Sequence, residues 1–582
     1  MDEKGDAVIR KSEAESIVSG LLCEWCDALV ALQIDAPGEP ETDGGIRCPA
    51  CGRVHGRCHE AVYPLLHLAD ATGEAKYLTA ARRLFAWGEN MRRPDGSMIN
   101  DTDSPWQGVT VFAAVALHDA LNYHGGLLGP DERAAWEARL LGMGEWLLVN
   151  IRVGSPAYLN YYAANACAMA LLGNYFDRGD FLHAARELAA YCFEHVGENG
   201  LLFGEGKPHD LKTPKGCRAV DIGYNVEESL PSLCRYAETM NDAEAAEKSR
   251  ALYRAHLALM LPDGAWDNSM GTRAFKWTYW GSRTSDGAQD ALFRLGKTDP
   301  VFAEAALRNA ELYRKCTHGG LLHGGPDYAR AGEPPCVHHT FCHAKTLAAA
   351  LNEGLYDFAR QALPSEAQTP IRYFSELDTV RIARGDWIAD ITAYDAAAKR
   401  GAHVSGGTMS LLWNRRCGAV VAAGPAEDLL FEPNNQQRAQ GNISSGLSCP
   451  RIEAEIDGKQ YAQRFDPGAV LRYEERKDVT VVRADAHLCD RENVRASSDG
   501  GCKLTYLLGE DGLLIEGAVA LQIAQGARYI LPVVSDRVRV SVLRGESARP
   551  PEEIFCLTPG FLCREYVILP DADGRFAVKL TV

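Results

Sequence analysis

The sequence predicts an (α/α)6 toroid followed by an antiparallel β-sandwich or layered β-sheet domain. Three observations carry this. Twelve stretches before residue 364 place apolar residues at helical spacing, the stretches alternate in kind, and the periodicity changes to two near residue 365. In 12–33, Val18, Leu21, Leu22, Trp25, Leu29 and Leu32 share a face. In 74–92 Tyr77, Leu78, Ala81, Leu84 and Phe85 do so, and in 106–124 Val109, Phe112, Ala113, Ala116 and Leu117. The remaining stretches are 59–71, 130–151, 158–174, 179–197, 224–240, 243–261, 284–296, 299–316 and 337–352.

One set (74–92, 130–151, 179–197, 243–261 and 299–316) is studded with Arg, Glu and Lys, as a half-solvated outer layer requires. The other set (59–71, 106–124, 158–174, 224–240, 284–296 and 337–352) is rich in Ala, Leu and Cys around most of its circumference, which predicts burial. With 12–33 in the outer layer, six inner and six outer helices pair antiparallel and close into a ring. Beyond 365, WIADITAYD, TMSLLWN, GAVVAAG, DVTVVRADAHL and KLTYLLGEDGLLIEGAV, the last with its Asp-Gly turn, read as strands. RYILPVVS, RVRVSVLR and FAVKLTV continue the pattern. The expected domains are 1–364 and 365–582, with ALPSEAQTP as the linker.

The chain has 582 residues, 61 basic against 78 acidic, and a net charge of −17. That excess of acid argues against a nucleic-acid partner. No run of eighteen apolar residues occurs, so no membrane span is expected. The start, MDEKGDAVIRKSEAES, lacks a basic region followed by an apolar stretch, which predicts a cytoplasmic protein with reduced thiols.

A toroid gathers function at one mouth, because its inner helices run parallel. The segments that begin those helices are polar and aromatic: His55–His59, Asp103–Gln107, Asn160–Tyr162, Tyr224–Glu228, Trp280–Asp286 and His338–Thr340. Taken singly, Ser104 and Ser285 read equally as helix caps and Glu227, Glu228 and Asp286 as acidic first-turn residues. Together they predict a sugar-binding cleft, with aromatic platforms and carboxylates that accept hydroxyl hydrogens. Trp106, Trp277 and Trp280 would supply the platforms, with Asp103, Asn160 and His338 as polar contacts. Arg273, Lys276 and Arg283, with Arg57 as a further candidate, would hold a uronic acid, since a guanidinium fork matches a carboxylate. The dense loop Trp266–Trp280 has the length of a functional loop.

Eighteen cysteines include Cys23-x-x-Cys26 and Cys48-x-x-Cys51, the second pair in a knuckle-like Cys-Pro-Ala-Cys-Gly turn. These four thiols are candidate ligands of a structural zinc in 23–58, with His55 and Cys58 as further candidates. The alternative makes Cys23 and Cys26 buried fillers of an amphipathic helix. Catalysis itself is expected to need no cofactor, and a homo-oligomer is left open.

The strings HGRCHEAVYPLL, PWQGVTVF, GYNVEESLP, KWTYWGSRTSDG and CVHHTFCHAK, with the toroid-then-β order, resemble heparinase II/III-like lyases. They also resemble glycoside hydrolase family 154, the exo-acting β-glucuronidases. The stretch Gly401–Gly407 is similar to the place where heparinase-type lyases carry a sheet-borne histidine, here His403. The two resemblances imply two mechanisms. Hydrolysis needs a pair of carboxylates, for which Glu227, Glu228, Asp286 and Asp103 are available. Elimination needs a Tyr or His base and a group neutralising the uronate, for which Tyr161, Tyr224, Asn160 and His339 are available. Carboxylates recur at three of the six helix starts, so the expected activity is a hydrolase of uronate-containing oligosaccharides, a β-glucuronidase, with β-elimination as the alternative.

Overall fold

The computed structural model describes residues 8–367, 369–428, 430–432, 445–497 and 500–582. Among these, twelve helices precede the sheets. They are α1 Lys11–Ala31, α2 Val62–Thr72, α3 Ala75–Trp87, α4 Thr110–His124, α5 Pro130–Asn150, α6 Leu159–Tyr175 and α7 Gly179–Phe193. Next is α8 (222–239), built of Ile222–Tyr224, a wide π turn at Asn225–Ser229, and Leu230–Thr239. The remainder are α9 Ala243–His256, α10 Gln289–Gly296, α11 Pro300–Cys316 and α12 Val337–Glu353.

The even-numbered helices touch one another in the order α2, α4, α6, α8, α10, α12 and back to α2, so the inner ring is closed. Composition explains the layering. From Leu159 to Gly173, α6 leaves only Tyr161 half-buried, because its run of Ala, Cys and Met offers no polar stripe to water. By contrast α9 buries only Ala245, Ser249, Leu252, Tyr253 and His256, one face at helical spacing. Capping fixes the turns: Asp299 accepts from the Val301 N–H with Pro300 behind it, and Gly73 ends α2 at φ 71°, a left-handed cap. α10 starts at Gln289, later than its pattern begins, since 284–288 is drawn away into polar contacts described below.

Three antiparallel sheets follow. The first is a meander of β1 Ile371–Phe374, β2 Thr379–Arg384, β3 Trp387–Thr392, β4 Thr408–Asn414 and β5 Gly418–Ala422, paired in sequence order. The second contains β6 Arg451–Ile456, β7 Lys459–Ala462, β12 Ala527–Val533, β14 Glu546–Ser547, β15 Glu552–Cys556 and β16 Phe561–Leu569. The third runs β8 Val470–Glu475, β9 Thr480–His487, β10 Gly501–Gly509, β11 Gly512–Val519, β17 Arg575–Thr581, β13 Arg539–Arg544. Gly509 pairs with Gly512, so the hairpin loop is Glu510-Asp511 and not the expected Asp-Gly; Gly512 begins the return strand at φ 145°.

The toroid and the first sheet share apolar core. Phe374, Leu377, Ile388, Leu411 and Trp413 pack with the helical cluster, while Val380, Ile391 and Met409 pack with the other sheets. Within this seam Arg381 is buried, its Nε and Nη2 on the two oxygens of Asp390 at 2.8 and 2.6 Å. The same guanidinium reaches Asp267 Oδ2 at 2.7 Å and the Ala258 carbonyl at 2.5 Å. The long loop Trp266–Trp280 is therefore largely an internal joint against the sheets. Breaking a buried pair from one side typically costs about 3–5 kcal/mol. Arg381→Met should lower stability by about that much in urea unfolding, and adding Asp390→Asn should restore part of the loss. Independent additive losses would show that the pair does not hold the seam.

Candidate active site

A cleft of about 790 Å³ opens at the toroid mouth, walled by Arg57, Trp106, Tyr158, Tyr161, His209, Tyr224, Glu228, Arg273, Lys276 and His338. Inner helices carry several of these near their starts: Tyr161 on α6, Tyr224 and, in the π turn, Glu228 on α8, His338 on α12. Trp106 stands at the rim, 44 % exposed, and its indole N–H donates to the Tyr161 hydroxyl at 2.9 Å.

Tyr224 is the most heavily supported side chain of the cleft. Lys276 Nζ donates to its hydroxyl at 3.1 Å, Thr284 Oγ1 lies 2.7 Å away, and the Arg273 guanidinium sits 3.9 Å from the ring centroid. Burial pushes the phenol above its ordinary value, Glu228 adds to this, and Lys276, Arg273 and Thr284 pull it back. Tyr161 is also raised by burial, with Tyr224 and Glu228 adding; Trp106 and Lys276 oppose. Arg273 is held by Glu205, and Asp221 approaches its Nε at 3.5 Å. Burial, opposed by Arg273 and reinforced by Asp221, pushes Glu205 up to about 7. Lys276 pairs with Glu432 at 2.9 Å.

Beside the phenol, Asn160 Nδ2 donates to Glu228 Oε2 at 2.6 Å, and the Asn160 N–H donates to Glu205. Burial, with Asp286 adding, holds the Glu228 carboxyl well above the usual carboxylate range, against Arg57, Asn160 and Arg273. On another part of the wall, the His209 ring faces the Asp210 carboxylate through Nδ1. His338 is kept far below its ordinary value by burial and by the neighbouring Arg57 and His55.

Several expected site residues are elsewhere. Glu227 is wholly buried in the core, where it accepts from Ser282 N at 2.8 Å, from Ser285 Oγ and from Tyr313 Oη at 3.2 Å. Asp286 sits in an ion-pair cluster with Arg57 at 2.7 Å and Lys345 at 2.9 Å; against the upward push of burial these two cations hold it below the usual range. Asp103 is exposed and paired with Arg53. Arg283 does not reach the cleft: it donates to the Leu557 carbonyl at 3.1 Å and Thr558 Oγ1 at 3.0 Å, tying the toroid to the β half. Trp277 and Trp280 are core residues whose indoles donate to the carbonyls of Trp266 and His323 at 2.7 and 2.8 Å. His339 is buried against Trp280, and both ring nitrogens of His403 face backbone carbonyls, so neither lines the cleft.

Cys26 is buried in apolar core and Cys23 lies near Asp27, Glu74 and Lys76, so neither joins Cys48 and Cys51. Tyr158 and His209 were not foreseen, because 198–223, which carries His209, has no periodic pattern and Tyr158 lies ahead of the polar segment Asn160–Tyr162.

Residues 22–368 match the ulvan lyase N-terminal domain and residues 371–549 the ulvan lyase C-terminal domain. The chain belongs to the ulvan lyase family. A broad-specificity ulvan lyase of Formosa agariphila is 36% identical over 534 residues, which are 90% of this chain and 83% of the relative. A chondroitin AC lyase of Streptomyces coelicolor A3 shares the fold at a TM-score of 0.51 and 13% identity, covering 98% of this chain and 79% of that one. The family membership overturns the expected hydrolase and β-glucuronidase activity in favour of the lyase alternative. The resemblance to glycoside hydrolase family 154 is not supported by these likenesses. Among the described residues no helix is long and apolar enough to cross a membrane.

The raised Glu228 carboxyl has a measurable sign. A free Glu titrates at about 4.3, so stability from the neutral folded form is full below that pH and is lost as pH rises through the folded value. Urea unfolding across a pH series should therefore show wild type losing stability relative to Glu228→Gln above about pH 4. A constant difference between the two would mean that Glu228 titrates normally.

Proposed function

We propose that this protein cleaves a uronate-bearing polysaccharide of the ulvan kind by β-elimination, with Tyr224 as the proton carrier. The observation that carries the reading is the Tyr224 hydroxyl set between Lys276 Nζ and Thr284 Oγ1 with Arg273 against its ring. Hydrolysis would instead ask for two carboxylates across a gap, and Glu227, Asp286 and Asp103 are engaged elsewhere.

Elimination removes the proton alpha to the uronate carboxylate. The electron pair left on that carbon forms a double bond as the bond to the leaving glycosidic oxygen breaks. Tyr224 takes the proton as phenolate, a form that Lys276 and Arg273 stabilise electrostatically. The same hydroxyl then returns a proton to the departing oxygen, so one residue serves both steps. Charge spreading onto the uronate carboxylate is met by the Asn160 amide and by Glu228, whose neutral carboxyl can donate a hydrogen bond. An ionised carboxylate there would repel the substrate. Trp106 and Tyr161 give the sugar an apolar surface at the rim.

Digestion of ulvan followed by ultraviolet absorbance should show an unsaturated uronate product. Tyr224→Phe should reduce turnover by roughly a hundredfold or more, with little change in melting temperature. If Tyr224→Phe stays near wild-type rate while His209→Ala or His338→Ala abolishes product, an imidazole carries the proton instead. Glu228→Gln keeps the donor and should lose far less than Glu228→Ala, whose cavity leaves the Asn160 amide unpaired. Equal losses would remove Glu228 from that role.

A further inference from the structure

Three metal-binding side chains, Cys48, His55 and Cys336, meet behind the cleft wall with Cys51 beside His55, and they are not the four that sequence spacing suggested. Cys48 and Cys51 lie in the tight turn between Arg47 and Val54, where Cys48 N–H donates to the Arg53 carbonyl at 2.8 Å and Gly52 N–H to the Cys48 carbonyl at 2.8 Å. His55 follows at once. Cys336 arrives from the opposite end of the helical half as the cap of α12, its sulfur accepting from the His338 N–H at 3.4 Å. Cys48 Sγ is 3.5 Å from Cys336 Sγ, and His55 Nε2 is 3.4 Å from Cys336 Sγ and 3.4 Å from Cys51 Sγ.

These three separations are close to those between ligands of a tetrahedral site. Thiolates at about 2.3 Å and imidazole nitrogen at about 2.0–2.1 Å from a zinc ion lie about 3.8 Å (S to S) and 3.6 Å (S to N) apart. The other ring nitrogen, His55 Nδ1, faces Asp101 Oδ1 at 3.5 Å, the carboxylate contact that fixes ring orientation in metal-binding histidines. Asp101 is itself held by the Gly56 N–H at 2.9 Å and the Asn100 amide at 2.9 Å. Cys48, His55 and Cys336 are almost wholly buried, and Cys51 is half-exposed, which leaves a path for an ion.

We propose that Cys48, Cys51, His55 and Cys336 bind one structural Zn²⁺ that closes the toroid. Binding displaces three thiol protons to solvent, changes no oxidation state, and fills all four positions, so the ion takes no part in the chemistry. It joins the first hairpin to the cap of the last inner helix, a closure of a loop of nearly three hundred residues that ordinary contacts would have to achieve alone. It also backs the cleft: Arg57 lies two residues from His55, the His55 and His338 rings are 5.7 Å apart, and the Asp101 segment carries Asn100, Ser104 and Trp106 to the wall.

The test is elemental analysis of the full chain purified under reducing conditions from zinc-supplemented cells. One zinc per chain is expected, lost in Cys48→Ser and Cys336→Ser and kept in Cys26→Ser and Cys58→Ser. Exchange for Co²⁺ should give the intense thiolate-to-cobalt absorption of a tetrahedral site, a readout on wild type that does not depend on any variant folding. Less than a tenth of an equivalent of zinc with no cobalt spectrum would overturn the proposal. So would full zinc content in a folded Cys336→Ser protein, or peptide mapping that finds Cys48 and Cys336 joined by a disulfide.

Discussion

The inner ring can exist only if its last helix returns to its first, and four charges sit at that closure, three buried and Asp286 half-buried. Arg57 and Glu60, just before α2, meet Lys345 on α12 and Asp286 before α10: Arg57 pairs with Glu60 at 2.6 Å and with Asp286 at 2.7 Å, and Lys345 with Glu60 and Asp286. Two cations and two anions satisfy one another where water is scarce, which is the condition under which buried charge is tolerated. Everything at the mouth depends on this closure. It draws 284–288 out of helical conformation, brings the Thr284 hydroxyl to Tyr224, and fixes the charge that Glu228 experiences from Asp286.

The fold was legible because inner and outer helices obey different rules of composition over long stretches. Each of the twelve expected stretches contains a helix, though α4 and α10 begin several residues later than their patterns. Strands such as Arg451–Ile456, Lys459–Ala462, Val470–Glu475 and Phe561–Leu569 were not visible, since their alternation is mixed with charge that the sheets resolve by pairing: Arg451 and Arg528 both meet Glu453 across β6 and β12. At the site, the sequence identified the correct mouth and not the direction of each side chain. Glu227 and Glu228 are neighbours, yet one is sealed under Ser282 and Ser285 and the other faces the cleft. Trp277, Trp280 and Arg283 had the composition of a sugar cleft, but the same composition serves a joint between domains.

The proposal of lyase chemistry rests on the surroundings of these groups and not on their types. The mouth contains enough carboxylates for a hydrolase, but Asp286 is held ionised by cations, Glu227 is enclosed and Asp103 lies outside. The phenol of Tyr224, by contrast, has cations on two sides.

The π turn at Asn225–Ser229 bears on how such a site could arise. Each residue in a π turn advances less around the axis than in an α-helix, so the segment absorbs one residue more than an α-helical path of the same span. The two ends of α8 are thereby uncoupled in facing: Leu230, Leu233, Tyr236 and Ala237 stay in the core, while Tyr224 and Glu228 look outward on a separate phase. A single inserted codon in an otherwise apolar helix would create that offset without disturbing the ring. Acquiring a catalytic mouth then demands a change of phase in one helix, a far shorter mutational path than redesigning the barrel.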